Sequence, residues 1–406
     1  MSPTTDKPKS PKRHWLSFSL RTMLVLILLS SLCMGWFGRD LYRYRIEEAL
    51  REKIVMKGGN AYRYTLSEPI YPLHGEPKWK QLVCLLPMLL FDEDIYSDVP
   101  VVVLRGDSDA LIQELPKLRG VRDVFILDVE VSDASVNALV NLRSLKTIVL
   151  MNASISPQQL GRLSQCQQLE FVNLHAQSAT DTHLQQLRSF PALTKVHIQD
   201  SEATDQGFAS LHHLSNLNMV TIVNTPGLTD KGVEHLAGRK HVEWLEFTGT
   251  SLTDKALLTL SQLQSLQFLK ICPSNGGVLF TDHHAYCFEN MTSLEYLDVR
   301  GTQIGDSSLQ SIGKLPRLRT LDVGLSRISN EGLPYLQPLQ ELESLNIAGT
   351  LVNQEGLRHL AHLESLNMLQ VSPDQGIADG LLGKVSIDID LLPTTNQVSV
   401  NTSEGL

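Results

Sequence analysis

Three stretches of the chain decide its fold: LEFTGTSLTDKALLTL (245–260), LDVRGTQIGDSSLQSI (297–312) and LNIAGTLVNQEGLRHL (345–360). Each opens with alternating apolar and polar residues, which predicts a short β-strand with one buried face. Apolar residues three apart come later in each stretch, and they predict one face of a short helix. Each stretch is therefore one strand–turn–helix unit.

The same unit recurs along most of the chain at a nearly constant interval. Its opening apolar residue falls at Val121, Leu145, Leu169, Leu193, Leu217, Val242, Leu266, Leu294, Leu318, Leu342 and Leu366. The interval is 24 residues, except for one of 25 and one of 28. A period this regular predicts a solenoid, in which neighbouring coils bury a continuous core between them.

These repeats resemble the leucine-rich repeat family in its T-D-x-G-L variant, and the resemblance covers about residues 98–380, or 11 to 12 coils. It implies an α/β solenoid with a curved parallel sheet on the concave side and short helices on the convex side. It also implies protein recognition on the concave face, and it implies no enzymatic activity. The head of the chain is similar to that of membrane-anchored bacterial leucine-rich repeat proteins of unknown role.

Two columns of polar residues repeat with the coils and predict scaffold roles. Ser or Thr marks the start of each helix, where its hydroxyl is a natural N-cap, and an Asp that complements the helix dipole often follows, as at Thr204-Asp205. A second hydroxyl column includes Thr225, Thr250 and Thr302 and is expected to hydrogen-bond the turn backbone. Neither column is a candidate for catalysis.

An uncharged run of 17 residues, 22–38, reaches the lower length limit for a membrane-spanning helix. Arg21 and Arg39 flank it, and Trp36 and Phe37 lie near one end, where aromatic residues favour a membrane interface. A cleaved signal peptide is the alternative, but no A-x-A-like cleavage site follows the apolar core. The sequence therefore predicts a transmembrane signal anchor. Because large domains translocate largely regardless of flanking charge, we expect the repeats on the extracytoplasmic side.

The composition and the distribution of charge bear on the class of partner and on how the chain divides into segments. The 406 residues are 42% hydrophobic, with a formal net charge of −9. Residues 1–57 carry eleven basic and five acidic residues, so the rest of the chain is strongly acidic, which argues against a nucleic-acid partner. We expect a basic tail (1–21), the anchor (22–38), a juxtamembrane helix (39–59), an N-terminal cap (60–97), the repeats (98–380), a closing strand (381–392) and a disordered tail (393–406).

The candidate partner-binding site lies on the predicted concave face, where strand residues between the core positions are displayed. Reading across three neighbouring coils gives an aromatic column flanked by charges of mixed sign. The candidate residues are Trp244, Glu246, Phe268, Lys270, Tyr296, Asp298 and Arg300. Exposed aromatics among mixed charges are typical of protein interfaces. The alternative is that the aromatic contacts only stabilise the sheet.

The 28-residue coil carries its extra residues within CPSNGGVLF (272–280), where an insertion would protrude beside the predicted site. Cys272 and Cys287 could close this loop as a disulfide if the domain is exported. Asp282, His283 and His284, together with Cys287, invite a metal interpretation, but the two histidines diverge on a helix, so we predict no metal and no cofactor.

No H-E-x-x-H, G-x-S-x-G, phosphate-binding loop or G-x-G-x-x-G motif occurs in the sequence. We therefore expect a non-enzymatic recognition protein, tethered to the membrane through residues 22–38, which binds a protein or peptide on its concave face. The alternative function is a structural envelope spacer or scaffold without a specific ligand.

Overall fold

A computed structural model of the chain describes residues 42, 45–62, 101–272, 280–375 and 386–389. The chain divides into two compact units, Met1–Glu52 and Lys53–Leu406. In the first unit, the described backbone is helical over residues 45–52, and helical residues continue to position 56 in the second. Gly58, with φ +72°, ends this run: its N–H donates to Val55 O and that of Gly59 donates to Ile54 O. This is the Schellman pattern expected of a glycine that follows a helix.

The anchor predicted at residues 22–38 lies outside the described residues, as do most of the predicted cap and the tail after residue 392. Within the part of the chain that is described, no helix combines the length and the apolar character needed to cross a bilayer.

Fourteen strands among the described residues form one sheet in strict chain order. They are β1 (Asn60–Tyr62), β2 (Val101–Arg105), β3 (Asp123–Leu127), β4 (Thr147–Met151), β5 (Phe171–His175), β6 (Lys195–Gln199), β7 (Met219–Val223), β8 (Trp244–Thr248), β9 (Phe268–Cys272), β10 (Tyr296–Asp298), β11 (Thr320–Asp322), β12 (Ser344–Asn346), β13 (Met368–Val371) and β14 (Ser386–Ile389). β1 is antiparallel to β2, and every later pair is parallel.

The register places equivalent positions of successive coils side by side, so that Leu245 of β8 pairs with Leu269 of β9 and Leu269 with Leu297 of β10. These leucines are fully buried, and along β8 and β9 buried and half-buried residues alternate. The predicted period-2 pattern is therefore confirmed. The half-buried residues lie on the sheet face that points away from the helices, and we call this predicted concave face the open face.

The other layer consists of short helices that follow the strands. The α-helices are Asp109–Ile112, Asp133–Val140, Pro157–Arg162, Asp181–Leu187, Asp205–Phe208, Asp230–Glu234, Ala256–Leu260 and Asp306–Ile312. The 3₁₀ helices are Leu115–Lys117, Leu163–Gln165, Ala176–Ser178, Ala209–His213, Asp282–Asn290, Leu333–Leu336, Gly356–Leu360 and Pro373–Gln375. In the segment Leu333–Leu336, Pro334 has no N–H to donate to a helical ladder. The predicted hydroxyl caps form at Ser132, Ser156, Thr204, Thr229 and Thr281.

Several aspartates at the starts of these helices also join one coil to the next. Asp205 Oδ1 accepts hydrogen bonds from the backbone N–H of Thr229 (2.7 Å) and of Gly232 (3.0 Å), and its Oδ2 accepts from Thr229 Oγ1 (2.6 Å). Asp181 makes the same three contacts to Thr204 and Gly207 of its following coil. The aspartate column is therefore a ladder of carboxylates that satisfies the N-terminal amides of neighbouring helices.

This ladder explains the glycine of the T-D-x-G-L pattern. A Cβ atom added at Gly232 would lie 2.6 Å from Asp205 Oδ1, and one at Gly207 would lie 2.5 Å from Asp181 Oδ1. A side chain at this position would push the carboxylate away from the backbone amide that it accepts from. The glycine is needed for close approach between coils, because neither residue has a positive φ.

Candidate recognition surface

The aromatic residues predicted to form one column are stacked on the open face. The ring centroids of Trp244 and Phe268 lie 3.4 Å apart with planes 3° from parallel, and those of Phe268 and Tyr296 lie 4.1 Å apart at 10°. The parallel register of β8, β9 and β10 brings the three residues together, and each is half-buried. The Phe268 ring is covered on both faces, so this ring can offer only its edge to solvent.

The second column beside this stack carries the charges. Lys270 Nζ lies 3.3 Å from Glu246 Oε1 and 3.9 Å from Asp298 Oδ2, so the lysine bridges two carboxylates from the neighbouring strands. Burial of Lys270 opposes its charge, but attraction to Glu246 and Asp298 outweighs burial and holds its pKa above the ordinary value. The predicted alternation of sign is thus a real ion-pair ladder.

Asp298 also has a structural role that the sequence did not reveal. Its Oδ1 accepts the backbone N–H of Arg300 (3.0 Å), and Asp322 and Asn346 accept the N–H two residues on in the same way. These side chains accept hydrogen bonds from the backbone N–H groups just beyond β10, β11 and β12. These three strands have three residues each, whereas β8 and β9 have five. The turn that Asp298 closes sets the position of Arg300 at the end of β10.

The environment of the ion-pair ladder shifts the pKa of three further groups. Burial, and then repulsion by Asp298, raises the pKa of the Asp322 carboxyl. Burial, and then repulsion by the carboxylates of Asp298 and Asp322, raises the pKa of the Tyr296 hydroxyl. Burial, and then repulsion by Asp298, raises the pKa of the Cys272 thiol. Tyr296 and Cys272 therefore stay protonated at neutral pH, and Cys272 Sγ donates to Asp298 Oδ1 (3.4 Å).

Cys272 and Cys287 are both free thiols, so the disulfide considered from the sequence is not formed in this structure. Cys272 is the last residue of β9 and contacts Asp298 across the open face. Cys287 is buried in the 3₁₀ helix Asp282–Asn290 on the helical side. The sheet separates the two thiols because strand and helix positions of one coil lie on opposite sides of its core. Residues 273–279 of the inserted loop lie outside the described residues.

Asp282 and His284 contact residues of the neighbouring coils. Asp282 Oδ1 accepts the backbone N–H of Gly305 (2.7 Å), and His284 Nδ1 lies 3.5 Å from Asp254 Oδ2. Within the described ranges, no group of three or more His, Cys, Asp or Glu residues is placed to hold a metal ion.

A polar cluster on the open face was missed from the sequence. Asn173 Oδ1, His175 Nδ1, Thr221 Oγ1 and Trp244 Nε1 are buried atoms without a hydrogen-bond partner among the described residues. We call these four residues the polar patch. The alternation along β5 and β7 puts Asn173 and Thr221 on the predicted concave face, but periodicity does not report whether a side chain finds a partner.

The family model described as Leucine Rich repeat matches residues 290–313, which is one coil of the array. That coil contains β10 and the helix Asp306–Ile312, and the coils on both sides share its strand register and its ladder. This coil is therefore a leucine-rich repeat, as the resemblance implied, and the neighbouring coils repeat its architecture. A search of curated proteins gave no match.

Solved structures similar to this chain are also built from repeats. An internalin, inlF, from Listeria monocytogenes str. 4b F2365 is 18% identical over 71% of this chain and 94% of its own, with a TM-score of 0.45. Internalin C2 of the same strain is 22% identical over 58% and 91%, with a TM-score of 0.41. The TLR13–ssRNA13 complex is 17% identical over 68% of this chain and 39% of its own, with a TM-score of 0.48. Resemblance of this degree carries no information about a ligand.

Proposed function

We propose that this chain is a membrane-tethered, non-enzymatic recognition protein that binds a protein or peptide partner on its open face. The contact region is formed by Trp244, Glu246, Phe268, Lys270, Tyr296, Asp298 and Arg300. The observation that carries the proposal is the stack of three half-buried aromatic rings beside an ion-pair ladder on one rigid sheet. Aromatic anchors next to charged groups are the usual centre of protein interfaces.

The stacking geometry favours a polypeptide over a carbohydrate. Sugars and nucleobases use free aromatic faces as platforms. Here both faces of Phe268 are covered by its neighbours, so the central ring of the stack can present only its edge. Ring edges carry partial positive charge and attract carbonyl oxygens and other rings, which polypeptides supply in abundance.

The charge pattern favours a polypeptide over a nucleic acid. Phosphate backbones require clustered positive charge. On the open face, Lys270 is already paired with two carboxylates, and Asp322 adds a further acidic group on the next strand. This arrangement suits a ligand of mixed charge.

The test is selection of a random dodecapeptide library on the full chain in detergent micelles, followed by calorimetric titration of the selected peptides. Trp244→Ala combined with Lys270→Glu is expected to weaken their affinity at least ten-fold, with the circular dichroism spectrum unchanged. Met368→Ala is the matched control, because Met368 stands in the same column as Trp244, five strands away, and is exposed. Equal affinities for the wild type and the double variant would refute the assigned face.

The membrane tether is proposed on the uncharged run 22–38. Alkaline carbonate extraction of expressing cells should leave the full chain with the membrane fraction, whereas replacement of Leu24 and Leu26 by Arg should release it. With a tag after Leu406, digestion of the repeats by protease in intact cells is expected, since we place them on the extracytoplasmic side. Protection until lysis would contradict that placement.

The second candidate is an envelope spacer without a ligand, in which the aromatic stack only stabilises the sheet. This candidate predicts that no library peptide binds and that Trp244→Ala changes stability alone.

A further inference from the structure

The polar patch is the feature that the aromatic site leaves unexplained. Asn173 is 7% exposed and Thr221 is 4% exposed, yet Asn173 Oδ1 and Thr221 Oγ1 have no partner among the described residues. His175 Nε2 pairs with Asp200 Oδ2 at 2.7 Å, but its Nδ1 is unpartnered. An unsatisfied buried polar atom costs about 1–3 kcal/mol, so four of them on one face call for a reason.

The register places two of these residues, Asn173 and Thr221, in one row across the sheet. Asn173 of β5 is aligned with His197 of β6, His197 with Thr221 of β7, and Thr221 with Glu246 of β8. Because neighbouring strands lie about 4.8 Å apart, Asn173 and Glu246 are separated by roughly 14 Å across the sheet. Trp244 lies two residues before Glu246 on β8, so this row runs directly into the aromatic stack.

The patch offers both donors and acceptors. Asn173 Oδ1 accepts, the Trp244 indole N–H donates, and the Thr221 hydroxyl does both. Burial lowers the pKa of His197 in the middle of the row, which therefore stays neutral near pH 7. A chain of backbone amides supplies the matching groups, since every residue carries one N–H and one C=O.

We propose that the recognition surface extends from the aromatic stack across β7, β6 and β5. An extended polypeptide binds there, and its backbone amides form hydrogen bonds with the side chains of Asn173, Thr221 and Trp244. This inference rests on the proposed function and names the form of its ligand. From β5 to β10 the recognition surface is about 24 Å long, and an extended peptide of about seven residues spans this distance.

Because these atoms are buried, the proposed ligand must displace neighbouring side chains to reach them. The column beside the row of Asn173 and Thr221 contains Lys195 on β6 and Met219 on β7, in register with Trp244. Both side chains are unbranched and have several rotamers, so they can swing aside at small cost.

The test uses the selected dodecapeptides and two variants that remove a polar atom but keep the shape, Thr221→Val and Asn173→Leu. Each should weaken peptide affinity about ten-fold. Neither should lower the melting temperature, because an unpartnered buried atom is replaced by an apolar group. Thr320→Val is the matched control on the same face, with affinity expected to stay within two-fold. A purely structural role for these atoms would instead lower the melting temperature and leave affinity unchanged.

A scan of N-methylated peptides tests the backbone contact itself. Methylation of the amide that donates to Thr221 should cost the wild type about ten-fold in affinity and cost Thr221→Val nothing. If Trp244→Ala abolishes binding but both polar variants keep full affinity, the proposed function stands and this inference is overturned. If no peptide binds the wild type, both are overturned.

Discussion

The carboxylate ladder between coils gives the sharpest stability prediction, for Asp205→Ala. The substitution removes two charge-assisted bonds from the backbone amides of Thr229 and Gly232 and one from the Thr229 hydroxyl, at 2.7, 3.0 and 2.6 Å. A hydrogen bond to a charged group contributes about 1.5–3 kcal/mol. Because these groups are only partly buried, water replaces some of the lost bonds, and we expect a total loss of about 3 kcal/mol.

Asp133→Ala is the matched control. Asp133 also opens a helix, so its interaction with the helix dipole is comparable. Its side chain, however, is 76% exposed and contacts the side chains of Arg162 and Gln159, with no backbone amide of the next coil. Loss of such an exposed pair should cost about 0.5 kcal/mol.

Urea unfolding of the full chain in micelles, followed by circular dichroism, measures the difference. With a denaturant slope of about 3 kcal/mol per molar, Asp205→Ala should lower the midpoint by about 1 M, and Asp133→Ala by less than about 0.3 M. Equal midpoints for the two variants would refute the argument that the carboxylates join the coils.

Three further predictions concern stability. Gly232→Ala should destabilise by about 2 kcal/mol in the same urea assay, because its Cβ would displace Asp205, and a wild-type midpoint would contradict this. Leu325→Gly should stabilise by up to about 1 kcal/mol in thermal melts, because Leu325 has φ +55° and is 46% exposed; a loss of stability would show that its packing outweighs the strain. His197→Gln should reduce the loss of stability between about pH 6.5 and 5. Burial lowers the pKa of His197 in the folded chain, so the unfolded chain takes up the proton first as the pH decreases, and the folded state loses stability. Equal acid sensitivity of the variant and the wild type would refute this.

Most of the fold could be predicted from the sequence, because a repeat enforces the same local choice many times. The 24-residue interval and the strand alternation placed Leu245, Leu269 and Leu297 in the core, and all three are fully buried. The aromatic column could be predicted for the same reason, since parallel register aligns equivalent positions of neighbouring coils. The hydroxyl column also behaves as expected, with Thr302 Oγ1 donating to Val299 O at 2.6 Å.

Pairing between side chains of different coils could not be predicted. Asp205 was expected to serve its own helix, and its contacts to Thr229 depend on the offset between stacked coils. The unpartnered atoms of Asn173 and Thr221 depend on which neighbours fill the face around them. The pairing of Cys272 with Cys287, which the sequence left open, is not formed in this structure, because Cys272 lies on the open face and Cys287 on the helical side.

Fluorescence of Trp244 reports whether a polypeptide binds on the open face around this residue. The chain has four tryptophans, and replacing Trp15, Trp36 and Trp79 by Phe leaves Trp244 as the only one. Titration of this variant with a selected dodecapeptide should change the Trp244 emission along a saturating curve, with the dissociation constant found by calorimetry. Binding in the calorimeter without any change in emission would show that the ligand binds elsewhere and that the assignment of the open face is wrong.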